Sequence, residues 1–369
     1  MVLIALDLVR AGVALMLPFV TEIWHIYVLI ALLQSASAGF TPLFQAVIPD
    51  VLPDERDYTR ALSLSRLAYD LENLLSPVLA AALLTVISFH GLFAGTSVGF
   101  VASALLVLAA TFPVVRAAHA EGGPFTRAPR GMRIYLRTPR LRGLLALNLV
   151  AAAGSAMVLV NTVVIVRGPL QGGEREVAWA LAAFGGGSMV VALLLPKLLD
   201  RLRDRSIMLA AAALMTGTLF VATGLWTATQ GMIGWTLLIV LWCLLGAAYA
   251  GLVTPAGRLL RSSAASDDLS FLFAAQFSLS HVCWLLTYPI AGWVGASVGL
   301  GSAFVALSGL AVLGLIVAWR VWPRHDPEML EHSHPELPED HPHVIQHQTP
   351  DGKHAHPYMI DEYHLRWPQ

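Results

Sequence analysis

Charged residues are scarce in this 369-residue chain. Asp, Glu, Lys and Arg make up 13% of the sequence, whereas a water-soluble domain carries roughly 25%. Hydrophobic residues make up 56%, and the mean hydropathy is +0.67. A core surrounded by water could not hide so much apolar surface. The composition therefore indicates that lipid surrounds most of the chain.

Cysteine is rare, and the motifs of several other protein classes are absent. Cys243 and Cys283 are the only cysteines, and both lie in apolar runs, which argues against a disulfide framework or a cysteine zinc site. The sequence has no phosphate-cradling glycine loop, no nucleophile elbow and no basic patch with interleaved aromatic residues. We therefore expect neither an enzyme nor a nucleotide-driven pump, and no nucleic-acid partner.

The sequence does contain about ten long apolar runs between Met1 and Trp322. Each run has about the ~20 residues that cross ~30 Å of hydrocarbon as a helix. The runs are continuous and do not alternate, which favours helices over barrel strands. We expect membrane helices near 2–20, 26–48, 61–87, 93–112, 142–166, 177–198, 207–226, 233–254, 269–295 and 300–322.

Arginine and lysine residues occupy every second gap between these runs. One alternate set of gaps holds 15 of them, and the other set holds 2. Positive charge accumulates on the cytoplasmic side of membrane proteins. We therefore expect an integral membrane protein with both termini in the cytoplasm, in a bacterial inner membrane.

Two parts of the chain repeat the same order of features. Residues 38–42 (Ala-Gly-Phe-Thr-Pro) close the second run, and residues 250–255 (Ala-Gly-Leu-Val-Thr-Pro) close the eighth. Each is followed by a short loop with two arginines and then by a run that contains a further proline. The repeat pairs runs one to four with runs seven to ten. The first half therefore lacks counterparts of runs five and six.

With this repeat, the chain resembles the major facilitator superfamily, in which a cytoplasmic loop joins two six-helix halves. Residues 276–281 (Gln-Phe-Ser-Leu-Ser-His) are similar to exporter branches of that family. The resemblance implies an all-α polytopic membrane fold, a 4+6 remnant of the 6+6 arrangement. Its parts are an incomplete half at 1–112, an arginine-rich linker at 113–141, a six-helix half at 142–322 and a tail at 323–369.

The missing helices would precede Met1, and three explanations stay open: an upstream start codon, a degenerate remnant, or a working reduced form. A loop of alternating acids and arginines at residues 200–205 is similar to the loop signature of the family. The resemblance implies a gating loop formed by Asp200, Arg201, Asp204 and Arg205.

Ionisable residues inside the runs are candidates for proton coupling, because a charge at mid-membrane costs at least ~2.5 kcal/mol. Arg66 and Asp70 lie one helical turn apart on one face of the third run, and Glu72 points elsewhere. A carboxylate released from its arginine could take up a proton. The alternative is a structural ion pair. Asp7 and Arg10 form a similar pair in the first run, with a gating or structural role.

His281 in the ninth run could relay a proton near neutral pH, or it could be a packed core residue. The family resemblance implies that the runs at 26–48, 142–166 and 233–254 line the central cavity. Polar residues on these runs could contact substrate or could hydrogen-bond neighbouring helices. They are Gln34, Gln45, Asn148, Asn161 and Tyr249.

The tail after Trp322 contains 9 of the 13 histidines. Its apolar content is low, so we expect disorder. Three His-x-His pairs could chelate a borderline divalent metal such as Ni, Co, Zn or Cu through neutral imidazole. These pairs are His332 and His334, His341 and His343, and His354 and His356. No spacing defines a closed four-ligand site, so we expect a loosely held metal and no required cofactor; incidental histidines are the alternative.

Three hypotheses for function follow. The first is a proton-coupled exporter of a divalent transition metal, with the tail as collector or sensor. The second is an exporter of drugs or other small organic compounds. The third is a truncated membrane protein that does not transport. The expected partners are the lipid bilayer, protons, and a small solute or metal ion.

Overall fold

The computed structural model describes residues 2–83, 86–109 and 124–324, together with parts of the tail at 330–332, 354–356, 358–360, 364 and 367. The helices are α1 (Val2–Met16), α2 (Ile23–Val51), α3 (Glu55–Leu83), α4 (Phe89–Ala109), α5 (Pro124–Arg137), α6 (Pro139–Arg167), α7 (Glu174–Leu199), α8 (Asp204–Ala228), α9 (Trp235–Val253), α10 (Ala256–Arg261), α11 (Ser266–Pro289), α12 (Gly295–Ser297) and α13 (Leu300–Val321). A 3₁₀ turn (Leu17–Phe19) extends α1, and a π-helical turn (Ile290–Val294) joins α11 to α12.

The predicted all-helical membrane fold is confirmed, because most of the described residues in each of the ten expected runs lie on these helices. Within the described residues, nine helical segments are long and apolar enough to cross a membrane. The third run is the exception. Helix α3 has 29 residues, which is long enough to span, but charged residues at its start and middle interrupt its apolar stretches.

Two segments have more structure than the sequence predicts. Residues 124–137, expected as part of a linker, form the amphipathic helix α5. In the tail, β1 (Leu330–His332) pairs with β2 (His354–His356) in an antiparallel arrangement. Tyr358 and Ile360 are buried within the same apolar cluster as α6 to α13. These described tail residues are therefore ordered against the helices, because their few large apolar side chains can be buried there.

The two sequence repeats pack in the same way. Helix α1 contacts α2 and α4, and its counterpart α8 contacts α9 and α13. Helices α7 and α9 cross very closely at Gly187 and Gly246. A Cβ added at Gly246 would lie 1.8 Å from the carbonyl oxygen of Phe184. Small residues permit such close approach between membrane helices, where dispersion contacts rather than water exclusion hold the helices together.

Contacts between the two halves position the functional site. Helix α3 packs against α7, and α2 packs against α11. Side-chain contacts join the α2–α3 turn, the start of α8 and α10 at one end of the bundle. We call this the arginine-rich end, because the three gaps that meet there hold 7 of the 21 arginines.

Candidate functional site

A cavity of about 390 Å³ lies between the two halves. Helices α2 and α3 line it from the first half, and α6, α9, α10 and α11 line it from the second. Its volume falls within the range of small-molecule sites, ~300–1,000 Å³. The polar lining residues are Thr41, Gln45, Ser65, Asn148, Tyr249, Thr254, Gln276 and Ser280. Among the described lining residues, none carries a charge at neutral pH.

Helix α11 contributes one continuous face to the cavity. Phe273, Gln276, Phe277, Ser280 and Trp284 all line it. Their spacing of three or four residues places them along one side of an α-helix. This wall therefore combines three aromatic side chains with an amide and a hydroxyl.

Two buried polar groups on the cavity wall lack partners among the described residues. Asn148 is 8% exposed and Thr254 is 5% exposed. The Asn148 Nδ2 and the Thr254 Oγ1 make no hydrogen bond there. Leaving a buried polar group unpaired costs about 1–3 kcal/mol. Both residues belong to the cavity wall, so a small side-chain rotation would bring either group to a bound solute.

The linker helix α5 contacts a cavity-lining residue through Tyr135. This side chain is fully buried, and its hydroxyl donates to the Gln276 Oε1. Burial, with a smaller effect from Cys283, raises the Tyr135 pKa well above its usual value, so the phenol stays protonated as a donor. The Arg130 Nη2 lies 2.9 Å from the Asp268 Oδ2 at the start of α11. The linker helix is thus fixed to the helix that forms the cavity wall.

An arginine joins the two halves at the arginine-rich end. Arg258 on α10 is 16% exposed, and its Nη2 lies 2.5 Å from the Glu55 Oε1 on α3. Its Nη1 donates to the Thr59 Oγ1 at 2.7 Å. Its Nε lies 3.4 Å from an Asp204 carboxylate oxygen at the start of α8. One guanidinium therefore connects the first half to two elements of the second half.

Neighbouring contacts strengthen this closure. The Arg261 Nη2 donates to the Pro53 carbonyl oxygen at 2.6 Å, and its guanidinium lies 5.1 Å from the centre of the Tyr58 ring. Tyr58 is 1% exposed, and burial raises its pKa to about 12, although Arg261 and Arg258 act in the opposite direction. A Cβ added at Gly257 would lie 2.8 Å from the Tyr58 hydroxyl. The α2–α3 turn is consequently held directly against α10.

The predicted gating-loop residues occupy different surroundings. Asp204 belongs to the Arg258 cluster, and Asp200 lies 3.9 Å from Arg56, where both side chains are exposed. Arg205 donates to the Trp322 carbonyl oxygen at 3.2 Å, at the end of α13. Arg201 lies in the exposed turn between α7 and α8. Asp204 therefore has a partly buried contact in the Arg258 cluster, and the gating role of the loop stays a prediction.

The structure brings three of the five predicted cavity residues together. Gln45, Asn148 and Tyr249 line the cavity. Gln34 is exposed on α2 and is not among the lining residues described. Asn161 is 2% exposed, and its Nδ2 donates to the Ala291 carbonyl oxygen at 3.0 Å, which ties α6 to the π-helical turn.

The structure describes only some of the predicted coupling residues of α3 and α11. The side chains of Arg66 and Asp70 lie outside the described residues, and Glu72 is exposed on α3. His281 is exposed, with its ring centre 4.1 Å from that of the cavity residue Phe277. It lies beside the cavity wall and is not among the lining residues described.

Asp7 and Arg10 form a buried pair within the first half. Asp7 is fully buried, contacts Arg10, and accepts a hydrogen bond from the Ser103 hydroxyl at 2.8 Å. The Arg10 guanidinium carbon lies 4.0 Å from the centre of the Phe40 ring and 4.7 Å from that of Phe100. These contacts join α1, α2 and α4 away from the described cavity lining. A coupling role for this pair stays a prediction.

Sequence reasoning missed much of the cavity. Thr41, Ser65 and Thr254 are uncharged and belong to no motif, and Tyr135 belongs to a segment expected to be a linker. One signal was available. The stretch at 276–281 that resembles exporter branches contributes three residues to the cavity wall.

Three of the tail histidines predicted to bind metal lie in the strand pair. The register of the strand pair places His332 opposite His354, and Leu330 opposite His356. The side chains of His332, His354 and His356, and all of His334, His341 and His343, lie outside the described residues. Among the residues that are described, no group of three His, Cys, Asp or Glu side chains could hold a metal ion. The tail metal site therefore stays a prediction.

Comparison with known proteins identifies the family. The family model of the Major Facilitator Superfamily matches residues 1–172 and 144–347. An uncharacterized MFS-type transporter of Bacillus subtilis, YfiS, is 24% identical over 319 residues, which is 83% of this chain and 74% of that protein.

Solved transporter structures share the fold. The human organic anion transporter MFSD10 superposes with a TM-score of 0.61 at 13% identity, covering 86% of this chain and 76% of that one. The Escherichia coli fucose:proton symporter FucP superposes with a TM-score of 0.60 at 15% identity, covering 86% and 82%. With its helical bundle and the cavity between its halves, this chain belongs to the major facilitator superfamily.

Proposed function

We propose that the chain is a secondary carrier that exports a small solute by alternating access. The observation that carries the proposal is the cavity between the halves, which has the inter-half Arg258 cluster beside it. Leu62 and Gly257 line the cavity, and both belong to the elements that these contacts join. A solute could enter the cavity from the arginine-rich end only when these contacts separate.

The arginine-rich end faces the cytoplasm in this proposal, and both termini lie on that side. The support is the uneven distribution of positive charge between alternate gaps, because such charge is retained on the cytoplasmic side. The membrane would then be the inner membrane of a bacterium.

The proposed direction of transport is export, and the proposed energy source is the entry of protons. The support for export is the resemblance of residues 276–281 to exporter branches, together with the position of that stretch on the cavity wall. The support for proton coupling is the presence of Asp7, Arg66, Asp70 and His281 within membrane helices, where ionisable groups are costly.

A cross-link across the closed end tests the carrier mechanism. With Cys243 and Cys283 replaced by alanine, a flexible bifunctional methanethiosulfonate can join Glu55→Cys to Arg258→Cys across the halves, because it spans the length of the two side chains that meet there. The same reagent on Asp204→Cys with Arg258→Cys joins two elements of the same half. In proteoliposomes with a pH gradient, we expect cross-linking of the first pair to stop flux of a transported probe and a reductant to restore it. The second pair should change flux less than twofold on cross-linking. Undiminished flux through the cross-linked first pair would refute alternating access at this end.

A divalent metal is the second candidate cargo. The specific observation in its favour is the register that sets His332 opposite His354 in a histidine-rich tail. Uptake of labelled Ni²⁺, Co²⁺ or Zn²⁺ into everted vesicles tests it, with and without residues 325–369. Metal uptake that depends on the tail would favour this candidate over an organic cargo.

A further inference from the structure

We propose that the cargo is an uncharged organic molecule that carries a hydrogen-bond acceptor beside an aromatic or apolar body. This inference rests on the proposed carrier function and names the class of solute that the cavity takes. Three features of the described cavity lining carry it: the lack of charged side chains among those residues, amide side chains on two helices, and an aromatic side.

The neutrality of the described walls disfavours an ion. A charged solute that leaves water for a buried cavity loses its hydration, and a countercharge or several good hydrogen bonds must replace it. The described lining offers amides, hydroxyls and aromatic rings, and none of its side chains is an acid, a base or a thiol.

Amide donors on two helices call for an acceptor on the cargo. Asn148 on α6 is 8% exposed and lines the cavity, and its Nδ2 has no partner among the described residues. Gln276 on α11 also lines the cavity, and its Oε1 already accepts from the Tyr135 hydroxyl. Because the Gln276 oxygen already accepts this hydrogen bond, its NH₂ group is the part of the amide that would donate to a solute. A carbonyl or ether oxygen on the cargo would pair with these donors.

The aromatic side fits the remainder of such a molecule. Phe273, Phe277 and Trp284 lie along the α11 face, and Tyr249 lies on α9. Aromatic side chains bury large apolar areas and pack well against flat rings. The volume of about 390 Å³ suits a small compound of one or two rings.

Tyr135 acts here as a positioning residue. It lies outside the membrane helices, on the linker helix α5, and does not line the cavity itself. Helix α5 packs tightly on α11, because a Cβ added at Gly131 would lie 2.3 Å from the Phe271 carbonyl oxygen. With α5 fixed in this way, the Tyr135 hydroxyl holds the Gln276 amide in one orientation. Removal of the hydroxyl would let the amide rotate and would weaken selection for an acceptor.

Four naphthalene probes of matched size test the inference on the full chain in nanodiscs. They are 2-acetylnaphthalene (neutral, with an acceptor), 2-ethylnaphthalene (neutral, without one), 2-naphthoate (anion) and 2-naphthylmethylammonium (cation). In equilibrium dialysis we expect the ketone to bind at least tenfold more tightly than the other three. Tighter binding of the anion or the cation overturns the inference.

Two variants test the assigned residues. Gln276→Leu should weaken ketone binding about tenfold and leave ethylnaphthalene binding unchanged, which shows that the site is still folded. Tyr135→Phe should lower the ketone-to-ethylnaphthalene selectivity at least threefold, whereas Tyr27→Phe, an exposed tyrosine near the start of α2, should leave it unchanged. Equal selectivity in Tyr135→Phe and Tyr27→Phe refutes the positioning role. Gln276→Leu with unaltered ketone binding refutes the acceptor assignment.

Failure of this inference and failure of the carrier function are separable. Gradient-driven flux of the anion or cation probe, blocked by the Glu55–Arg258 cross-link, retains the carrier and rejects the neutral cargo. Ketone binding that depends on Gln276, without flux of any probe, retains the recognition chemistry and rejects transport.

Discussion

Replacement of Arg258 by glutamine should open the arginine-rich end. The contacts that Arg258 makes across the halves are those to Glu55 and Thr59, because Asp204 belongs to the same half as Arg258. The Thr59 hydrogen bond is partly buried and involves a charged donor, a type that contributes about 1.5–3 kcal/mol. The Glu55 carboxylate is 68% exposed, so its ion pair contributes about 0.5 kcal/mol or less.

The variant should therefore weaken the closed arrangement by about 2 kcal/mol, which corresponds to a factor of roughly 30 in the open-to-closed ratio. The measurement is the labelling rate of Ser65→Cys, a cavity position, by a membrane-impermeant maleimide. The background carries Cys243→Ala and Cys283→Ala, which removes both native thiols. We expect at least a tenfold faster reaction when the reagent is added on the arginine-rich side.

A matched variant separates this effect from a general loss of surface charge. Arg56 lies 3.9 Å from Asp200, and both side chains are largely exposed, so Arg56→Gln should change labelling less than twofold. An unchanged rate in Arg258→Gln, or an equal rise in Arg56→Gln, would show that the Arg258 cluster does not close the cavity.

Three further outcomes can be measured on purified protein. Gly246→Ala should lower the Tm, because the new Cβ meets an α7 carbonyl oxygen at 1.8 Å and such overpacking costs about 1–3 kcal/mol of stability. Gly217→Ala, where the added Cβ has open space, should leave the Tm unchanged. Asp7→Asn should destabilise the first half by about 3 kcal/mol, because Arg10 would keep a buried charge without its counterion; a stable variant that lost only proton dependence would instead indicate coupling. Deletion of residues 358–369 should lower the Tm by exposing the surface that the buried tail side chains cover, and an unchanged Tm would argue against that docking.

The residues that line the cavity could be predicted from the sequence only in part. Asn148, Gln45 and Tyr249 could be named because polar side chains on membrane helices are uncommon. Gln34 met the same criterion, yet it lies away from the described cavity lining. Lipid and the protein interior are both apolar, so the sequence of a membrane helix carries little information on which of its sides faces the cavity.

The sequence by itself determined that the chain is a bundle of membrane helices whose arginines concentrate in alternate gaps. Hydropathy and the length needed to cross a bilayer are properties of single segments, and both can be read without knowing any contact. The tertiary structure decided that Tyr135 of a presumed linker holds a cavity glutamine, and that Arg258 joins the two halves. Those pairs are separated by 141 and 203 residues in the chain. Only the rotation and packing of whole helices bring them together, and no local pattern records that arrangement.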